Sequence, residues 1–421
     1  MAIHVVNRGD TLYSISRTYR INIAKIREVN GLTSEILMPG LALYLPIETL
    51  PTQYYSIKAG DTLWRIGQRF QTSIPSILQA NPGVVAENIY IGQIITIPTP
   101  MRYTMETLAF IDTFIPTSIG EKLSAYSDQL SYLALFTYSV TPTGTLIEAD
   151  DRALIQEIKQ NNVKPLMVFS NYANNAFSSE LAAQVLQSEI RSIMINNIVR
   201  TLRNKGYAGI SLDFEMIPPT HRDAFTAFLR ELKQAMGNLI LHVSVFSKEA
   251  DMPTNPFAGA FDYAAIGQIA DIVTVLTYDY GYVVGPPDPI APTWWINQVL
   301  SYATTLIPRN KLMIAIPFYG YDWLTPDTPE VNAKTLSVNA AQNQALQKYT
   351  VINYNTVAEA PFYSYVSNGQ VRTVWFEDPR SMVAKYKLIE AYNLLGVSYW
   401  RFRYDFPQNW SYLQNNIQVS K

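Results

Sequence analysis

Cysteine is absent from this chain, and charged residues are scarce. None of the 421 residues is a cysteine, which excludes disulfides, thiolate metal ligands and a cysteine nucleophile. Charged residues make up 16% of the chain against 48% hydrophobic residues, and the formal net charge is -2. Because no block of Lys or Arg is present, nucleic acids and anionic membranes are poor candidate partners. The composition therefore predicts a folded globular protein that binds neither.

Long apolar runs and histidines are also scarce. The first residues, MAIHVVNRGDTLYS, contain no basic segment followed by an apolar one, and no run approaches the roughly 18 apolar residues of a membrane span. We therefore expect a chain that is synthesised in the cytosol without a signal peptide. His4, His221 and His242 lie far apart and lack metal-ligand spacing, so we expect neither a metal nor an organic cofactor.

The first hundred residues contain one small module twice. The stretch HVVNRGDTLYSISRTYRINIAKIREVNGL from residue 4 aligns with YSIKAGDTLWRIGQRFQTSIPSILQANPG from residue 55 at a constant offset of 51. After one inserted residue the two copies end alike, in PGLALYLP and IGQIITIP. A fixed internal period indicates a repeated structural unit. Each copy is predicted to fold as strand, helix, helix and strand, with Gly-Asp-Thr forming a turn and a helix cap.

The doubled GDTL, the shared asparagine and the terminal proline resemble the LysM domain, with modules over residues 1–48 and 53–98. This resemblance implies binding to N-acetylglucosamine-containing glycans such as peptidoglycan and chitin. It places a glycan groove between the Gly-Asp-Thr turn and a later loop. The candidate glycan contacts are Gly9, Asp10, Thr11, Gly60, Asp61, Thr62, Ile89 and Tyr90. The alternative interpretation is that these residues only shape the turn and the helix cap.

Residues 102–421 have a different pattern, in which apolar strand-like runs alternate with amphipathic helices. Such alternation is typical of βα units with parallel strands. The runs are ETLAFIDTF, LSYLALFTYSV, VKPLMVFSNY, GYAGISLDFE, NLILHVSVFSK, DIVTVLTYDY, KLMIAIPFYG and LGVSYWRFR. Eight units in about 320 residues predict an α/β fold, namely a (β/α)8 TIM barrel.

Two further features refine the prediction for this region. The stretch PFYSYVSNGQVRTVWF reads as a hairpin around Asn368 and Gly369, and it predicts a small insertion after strand 7 of the barrel. An apolar helical stripe that includes Ala384 and Leu388 precedes Gly396, which is predicted to cap the helix at its C-terminus.

The fourth run ends in two acids, Asp213 and Glu215. Strand residues at i, i+2 and i+4 share a face, so Ser211, Asp213 and Glu215 are predicted to point into the barrel near its C-terminal mouth. Two neighbouring carboxylates out of bulk water cannot both ionise cheaply, so one pKa rises and one carboxyl is available as a general acid. Neighbours on one strand do not straddle a sugar ring. A glycosidase built on this pair needs another nucleophile, such as the substrate's 2-acetamido group.

These strand ends resemble the chitinase-like family-18 glycoside hydrolases, whose fourth strand carries D-x-x-D-x-D-x-E. Asp213 and Glu215 match the last two acids, while Ala208 and Ser211 replace the first two. The sixth run, LTYDY, matches a Met-x-Tyr-Asp motif except for its leucine. The resemblance implies that Glu215 is the catalytic acid and that Asp213 and Tyr278 hold the acetamido group. The substrate-binding residues that it suggests are Asp279, Trp400, Ser211, Asn171 and Tyr280.

Two LysM-like modules before such a barrel resemble spore-cortex fragment-lytic N-acetylglucosaminidases of spore-forming bacteria. The resemblance implies cleavage after N-acetylglucosamine in cortex peptidoglycan during germination, and a location in the spore coat or cortex region. Two alternatives stay open. One is a chitinase or chito-oligosaccharide hydrolase with the same chemistry. The other is a non-catalytic lectin, which would not depend on Glu215.

Overall fold

The structure is a computed structural model that describes residues 2–47, 50–113, 118–325 and 333–421. Two small modules come first, followed by a parallel barrel that carries an inserted antiparallel sheet. Residue 48, the predicted end of the first module, and Phe114, the last residue of the first predicted barrel strand, lie outside the described residues.

Both N-terminal modules have the predicted order of strand, helix, helix and strand. Thr11 and Thr62 cap the first helix of their modules, since each hydroxyl accepts a hydrogen bond from the backbone N–H three residues later, at 3.0 and 3.2 Å. The outer strands of each module pair antiparallel. The elements are β1 (Ala2–Val5), α1 (Leu12–Tyr19), α2 (Ile23–Asn30), β2 (Ala42–Leu45), β3 (Thr52–Ser56), α3 (Leu63–Arg69), α4 (Ile74–Ala80) and β4 (Ile94–Pro98).

The asparagine shared by the two modules joins the second helix to the last strand. In the first module the Asn30 amide donates to Tyr44 O at 2.9 Å and accepts from Tyr44 N at 2.7 Å. In the second module Asn81 makes the same pair of bonds to Thr96, at 2.6 and 2.7 Å. Each amide also donates to a carbonyl of its own helix. The repeated asparagine therefore satisfies backbone groups that helix and strand cannot pair between themselves.

Parallel strands from eight βα units close into a barrel in sequence order. β5 pairs with β6 on one side and with β20 on the other, which closes the sheet and confirms the predicted (β/α)8 fold. The elements up to the seventh barrel strand are β5 (Tyr103–Asp112), α5 (Gly120–Tyr126), β6 (Tyr132–Val140), β7 (Leu146–Ile147), α6 (Arg152–Gln160), β8 (Lys164–Ser170), β9 (Tyr172–Ala173), β10 (Ala176–Phe177), α7 (Ser179–Val185), α8 (Ser188–Lys205), β11 (Gly209–Asp213), α9 (Arg222–Met236), β12 (Ile240–Phe246), α10 (Tyr263–Ile269), β13 (Ile272–Leu276), α11 (Thr293–Ala303) and β14 (Leu312–Pro317).

The predicted insertion follows the seventh barrel strand, β14. It contains a five-stranded antiparallel sheet in the order β16-β15-β19-β18-β17 and one helix. Asn368 and Gly369 connect β18 to β19 with φ of 52° and 76°, the two positive values that a tight two-residue hairpin turn needs. The remaining elements are β15 (Tyr319–Thr325), β16 (Lys334–Ser337), α12 (Val338–Gln347), β17 (Asn353–Asn355), β18 (Ala360–Ser367), β19 (Gln370–Trp375), α13 (Pro379–Tyr392), β20 (Gly396–Trp400), α14 (Pro407–Asn416) and β21 (Ile417–Val419).

The prediction that Gly396 caps a helix is wrong. Helix α13 ends at Tyr392, and the next residue, Asn393, takes the left-handed cap conformation with φ of 53°. Gly396 is instead the first residue of β20. A Cβ atom at this position would lie 1.8 Å from Glu106 O, so glycine is needed for close approach to β5.

Both N-terminal modules contact the barrel region that follows them. The first module shares one hydrophobic core with the insertion, in which its Leu43 belongs to the same cluster as Ala345 and Phe376. The second module has its own core and contacts α13 through β3, where Tyr54 N donates to Glu390 Oε2 at 2.5 Å. The two copies of one module are thus attached through different faces.

Candidate active site

The end of the fourth barrel strand, β11, positions two carboxylates. Strand β11 ends at Asp213, and Glu215 follows two residues later. Between them Phe214 points outward and is buried against Phe169 and Phe228, with ring centroids 5.7 and 5.9 Å away. Because Phe214 is anchored on the helix side, the alternation of the strand directs Asp213 and Glu215 inward.

Asp213 and Glu215 meet other predicted site residues in a cavity of about 450 Å³ at the C-terminal mouth of the barrel. Tyr278 and Asp279, just after the sixth barrel strand, and Trp400, at the end of the eighth, line the same cavity. The sequence analysis missed other lining residues, namely Phe136, Tyr172, Phe177, Tyr319, Tyr321, Thr335, Arg401 and Tyr404.

The carboxyl groups in this cavity have raised pKa values. Burial raises the pKa of Asp213 to about 7. Burial also raises the pKa of Glu215 well above its ordinary value, and the negative charges of Asp213 and Asp279 raise it further. A protonated glutamic acid near neutral pH can donate a proton to a leaving oxygen. Burial likewise raises the pKa of Tyr278, so its phenol stays a neutral hydrogen-bond donor.

Two tyrosines of the insertion hold Asp279. Tyr319 and Tyr321 each donate a hydroxyl hydrogen bond to Asp279 Oδ1, at 2.5 and 3.0 Å. Both lie on β15, so the insertion forms one wall of the cavity. The alternating aromatics of FYGYDW at residues 318–323 were the sequence signal for this wall, since residues two apart share a strand face.

Aromatic side chains fix Trp400 beside the wall that the insertion forms, where it packs against the cluster of Tyr319 and Tyr321. Its ring lies 5.6 Å from Phe110 and 5.3 Å from Phe136, measured between centroids. The next residue, Arg401, forms an ion pair with the buried carboxylate of Asp112. These contacts hold the indole ring in one orientation, as a stacking platform for a sugar requires.

Ser211 does not line the cavity, which corrects its predicted role as a substrate contact. Its side chain is fully buried, and its hydroxyl lies 2.7 Å from His242 Nδ1. The other ring nitrogen of His242 lies 2.8 Å from Thr274 Oγ1. Burial lowers the pKa of His242 to about 3, so the ring is neutral and the row of three side chains carries no charge. Ser211 lies two residues before Asp213 on the same face of β11, which places it deeper in the barrel than the cavity.

Asn171 and Tyr280 also lie outside the cavity lining. Asn171 is fully buried, and its amide hydrogen-bonds both the backbone N–H and the carbonyl of Glu215, at 2.9 and 2.8 Å. Its amide therefore contacts the backbone of Glu215, while a substrate contact by Asn171 stays a prediction. Tyr280 packs against Trp294 and Trp295, with centroids 5.2 and 5.5 Å away.

The Gly-Asp-Thr residues of the two modules have clear structural roles. Asp10 accepts a hydrogen bond from Asn7 N at 2.7 Å, and Asp61 accepts one from Lys58 N at 2.8 Å. Gly9 and Gly60 have φ of 95° and 79°, which favours glycine. These contacts match the alternative in which the motif shapes the turn. Glycan contact by these residues stays a prediction.

Across residues 2–47, 50–113, 118–325 and 333–421, no group of three or more His, Asp or Glu side chains could hold a metal ion. Within the same ranges no helix has the length and apolar character to cross a bilayer.

A (β/α)8 barrel with a carboxylate pair at the end of its fourth strand and a cleft tryptophan at the end of its eighth is an arrangement that suits a barrel glycosidase. Comparison with family models gives the particular family. The model of glycosyl hydrolases family 18 matches residues 108–405, and the LysM domain model matches residues 4–46 and 55–98. The chain belongs to family 18 of the glycosyl hydrolases and carries two LysM domains. LysM domains indicate binding to peptidoglycan or chitin-like glycans.

Relatives match the full length of the chain. It is 33% identical to the cortical fragment-lytic enzyme of Bacillus anthracis, covering 100% of this chain and 99% of the relative. The crystal structure of the Bacillus cereus spore cortex-lytic enzyme SleL superposes with a TM-score of 0.88 at 32% identity, covering 100% and 98% of the two chains. A chitinase from Chromobacterium violaceum matches with a TM-score of 0.68 at 25% identity, over 74% of this chain and 98% of that chain.

Proposed function

We propose that this protein hydrolyses N-acetylglucosaminyl bonds in peptidoglycan, in the spore cortex during germination, and that residues 102–421 are its catalytic domain. The observation that carries the proposal is the single cavity that brings Asp213, Glu215 and Tyr278 together beside Trp400. The full-length similarity to cortical fragment-lytic enzymes supports cortex as the substrate and the spore coat or cortex region as the location. The LysM modules, predicted at 1–48 and 53–98, supply targeting.

The proposed mechanism is substrate-assisted and retains the anomeric configuration. Asp213 and Glu215 leave the same strand end and do not straddle a sugar, while the third cavity carboxylate, Asp279, is held by two tyrosine hydroxyls. The nucleophile is therefore the substrate's acetamido oxygen, which attacks the anomeric carbon as Glu215 protonates the leaving oxygen. Asp213 and Tyr278 orient the acetamido group and stabilise the positive charge that develops on it. Glu215, now ionised, then takes a proton from the water that opens the ring intermediate.

A product analysis tests this function. Cortex peptidoglycan is digested with the wild-type protein and with Glu215→Gln, the products are reduced, and the reduced terminal sugars are identified by mass spectrometry. We expect reduced N-acetylglucosamine ends from the wild type and a loss of turnover of about 10²-fold or more in Glu215→Gln, since the general acid is removed. Glu189→Gln, an exposed glutamate on α8, is the matched control and should behave as wild type.

Other products would indicate a different bond specificity or a different function. Reduced muramic ends that depend on Glu215 would reverse the bond assignment. No new ends from cortex, together with Glu215-dependent cleavage of chitin oligomers, would favour the chitinase alternative. Equal behaviour of wild type and Glu215→Gln towards both substrates, with binding retained, would favour the lectin.

A further inference from the structure

The two LysM modules contain the same turn before their last strand. Met38, Pro39 and Gly40 form the first-module turn, and Tyr90, Ile91 and Gly92 form the second-module turn, at an offset of 52. Each turn makes the same internal bond, from Gly40 N to Val6 O at 2.8 Å and from Gly92 N to Ile57 O at 2.9 Å. Gly40 and Gly92, the last residues of the two turns, both have φ of 85°. The turns are therefore equivalent, and their surroundings can be compared directly.

The first-module turn is bound to the insertion and to helix α13. Ile352 N donates to Pro39 O at 3.0 Å, and the Arg380 guanidinium donates to Gly40 O at 3.1 Å. A Cβ atom on Gly40 would lie 1.8 Å from Ile352 O. Two successive carbonyls of this groove wall are thus already used by the protein, and there is no space above the glycine for a ligand.

The second-module turn is open. Tyr90 and Ile91 are 66% and 70% exposed, and a Cβ atom on Gly92 would meet nothing within 4 Å. The LysM resemblance puts Thr62 on the other side of the groove, and Trp64, two residues further along α3, is 62% exposed. A contiguous patch of exposed aromatic and apolar side chains is typical of a binding surface. Flat rings of this kind stack on the apolar faces of sugars.

The attachments of the two modules explain this difference. Asn343 of α12 holds the end of α2 and the following segment, accepting from Thr33 N at 3.0 Å and donating to Gly31 O at 2.9 Å. Gln342 donates to Asn30 O at 2.8 Å beside it. The second module is instead attached through β3, which leaves its turn outside the contact with α13.

We propose that the second module alone carries the glycan site, at a surface formed by Trp64, Tyr90 and Ile91, and that the first module is a fixed part of the catalytic domain. The ligand is a glycan containing β-linked N-acetylglucosamine. This inference rests on the proposed function, because it assigns glycan targeting to one of two modules of the same family. The first module supports α12 and the inserted sheet, whose strand β15 forms one wall of the active-site cavity.

Paired substitutions at equivalent positions test the proposal. Trp64 and Tyr13 are equivalent at the offset of 51 and are similarly exposed, at 62% and 68%. Each of the two, and Tyr90, is changed to alanine in the full-length Glu215→Gln protein, which digests the ligand at least about 10²-fold more slowly. Binding to insoluble cortex peptidoglycan is then measured by co-sedimentation. We expect Trp64→Ala and Tyr90→Ala each to raise the Kd about tenfold, the effect of losing roughly 1.4 kcal/mol of contact. Tyr13→Ala should leave the Kd unchanged.

Other outcomes contradict the proposal, and unchanged affinity in Trp64→Ala and Tyr90→Ala would overturn it directly. Equal losses of affinity in Tyr13→Ala and Trp64→Ala would show that both modules bind, which overturns this inference and leaves the proposed function intact. A loss in Tyr13→Ala alone would assign the site to the first module. No binding by the Glu215→Gln parent would overturn both this inference and the targeting part of the proposed function. Thermal unfolding of each variant verifies that the modules remain folded.

Discussion

The side chain of Asn171 clamps the backbone of Glu215. Its Nδ2 donates to Glu215 O at 2.8 Å while its Oδ1 accepts from Glu215 N at 2.9 Å. A second bond from Nδ2, to Ser178 O at 2.9 Å, anchors the amide to the loop after the third barrel strand. Because Glu215 lies beyond the end of β11, no strand ladder holds it, and this amide replaces the missing pairing.

The first prediction concerns Asn171→Ala. Removal of the amide leaves the backbone groups of Glu215 without partners, which lowers the free energy of unfolding by about 1–3 kcal/mol. Since a displacement of about 1 Å in a catalytic group costs roughly 10²-fold, kcat should fall by that order while KM changes little. Steady-state kinetics on soluble cortex peptidoglycan fragments would measure both. A rise in KM with normal kcat would instead make Asn171 a substrate contact.

The second prediction concerns the pH dependence of stability. Burial raises the pKa of Asp213 from 3.8 to about 7 in the folded state. Between these values the folded protein holds a proton that the unfolded chain releases, so the contribution of this group to stability is greatest below pH 4 and is lost as the pH rises towards 7. Asp213→Asn has no ionisable group at this position, so the variant does not lose this contribution to stability as the pH rises. Urea unfolding at pH 4 and pH 8 measures this difference. From pH 4 to pH 8 the free energy of unfolding of the variant should rise relative to that of the wild type by at least about 1 kcal/mol.

An exposed aspartate provides the control for this measurement. Asp128→Asn changes the same functional group at the surface and should follow the wild-type pH dependence. The assignment to Asp213 would fail if Asp213→Asn and wild type lost stability in parallel between pH 4 and pH 8.

The third prediction uses the two equivalent turn glycines. Gly40→Ala and Gly92→Ala carry the same backbone strain, since both residues have φ of 85°. Only the first places a methyl group 1.8 Å from a carbonyl oxygen, Ile352 O. We expect Gly40→Ala to lose about 2 kcal/mol more of unfolding free energy than Gly92→Ala, measured by urea unfolding of the full chain. Equal losses would mean that the first module is not held against the insertion.

Local patterns in the sequence predicted the architecture well. The repeat at an offset of 51 predicted both modules, and alternating apolar runs predicted all eight barrel strands. Asn368 and Gly369 predicted the hairpin of the insertion, since few residues tolerate two successive positive φ values. Gly396 was misassigned because glycine serves both as a helix cap and as a point of close strand contact, and only the neighbouring strand distinguishes the two.

The candidate site was predicted in part. Asp213, Glu215, Tyr278, Asp279 and Trp400 stand at strand ends, and parallel strands bring their ends to one mouth of a barrel. Tyr319 and Tyr321 were missed because they belong to the insertion, whose folding over the barrel is a long-range event. The resemblance predicts Asn171 as a substrate contact, because the sequence does not indicate whether a polar side chain at a strand end faces the ligand or its neighbour's backbone.

The sequence by itself determined the repeat, the barrel and the identity of the acid pair, because each depends on periodicity or on spacing along a single strand. Only the tertiary structure decided the burial that raises the pKa values of Asp213 and Glu215, because desolvation depends on atoms contributed by distant strands. It also distinguished the two modules. Their turns are equivalent in sequence, but the Gly40 turn packs against Ile352 while the Gly92 turn faces open space, because each module is attached through a different face.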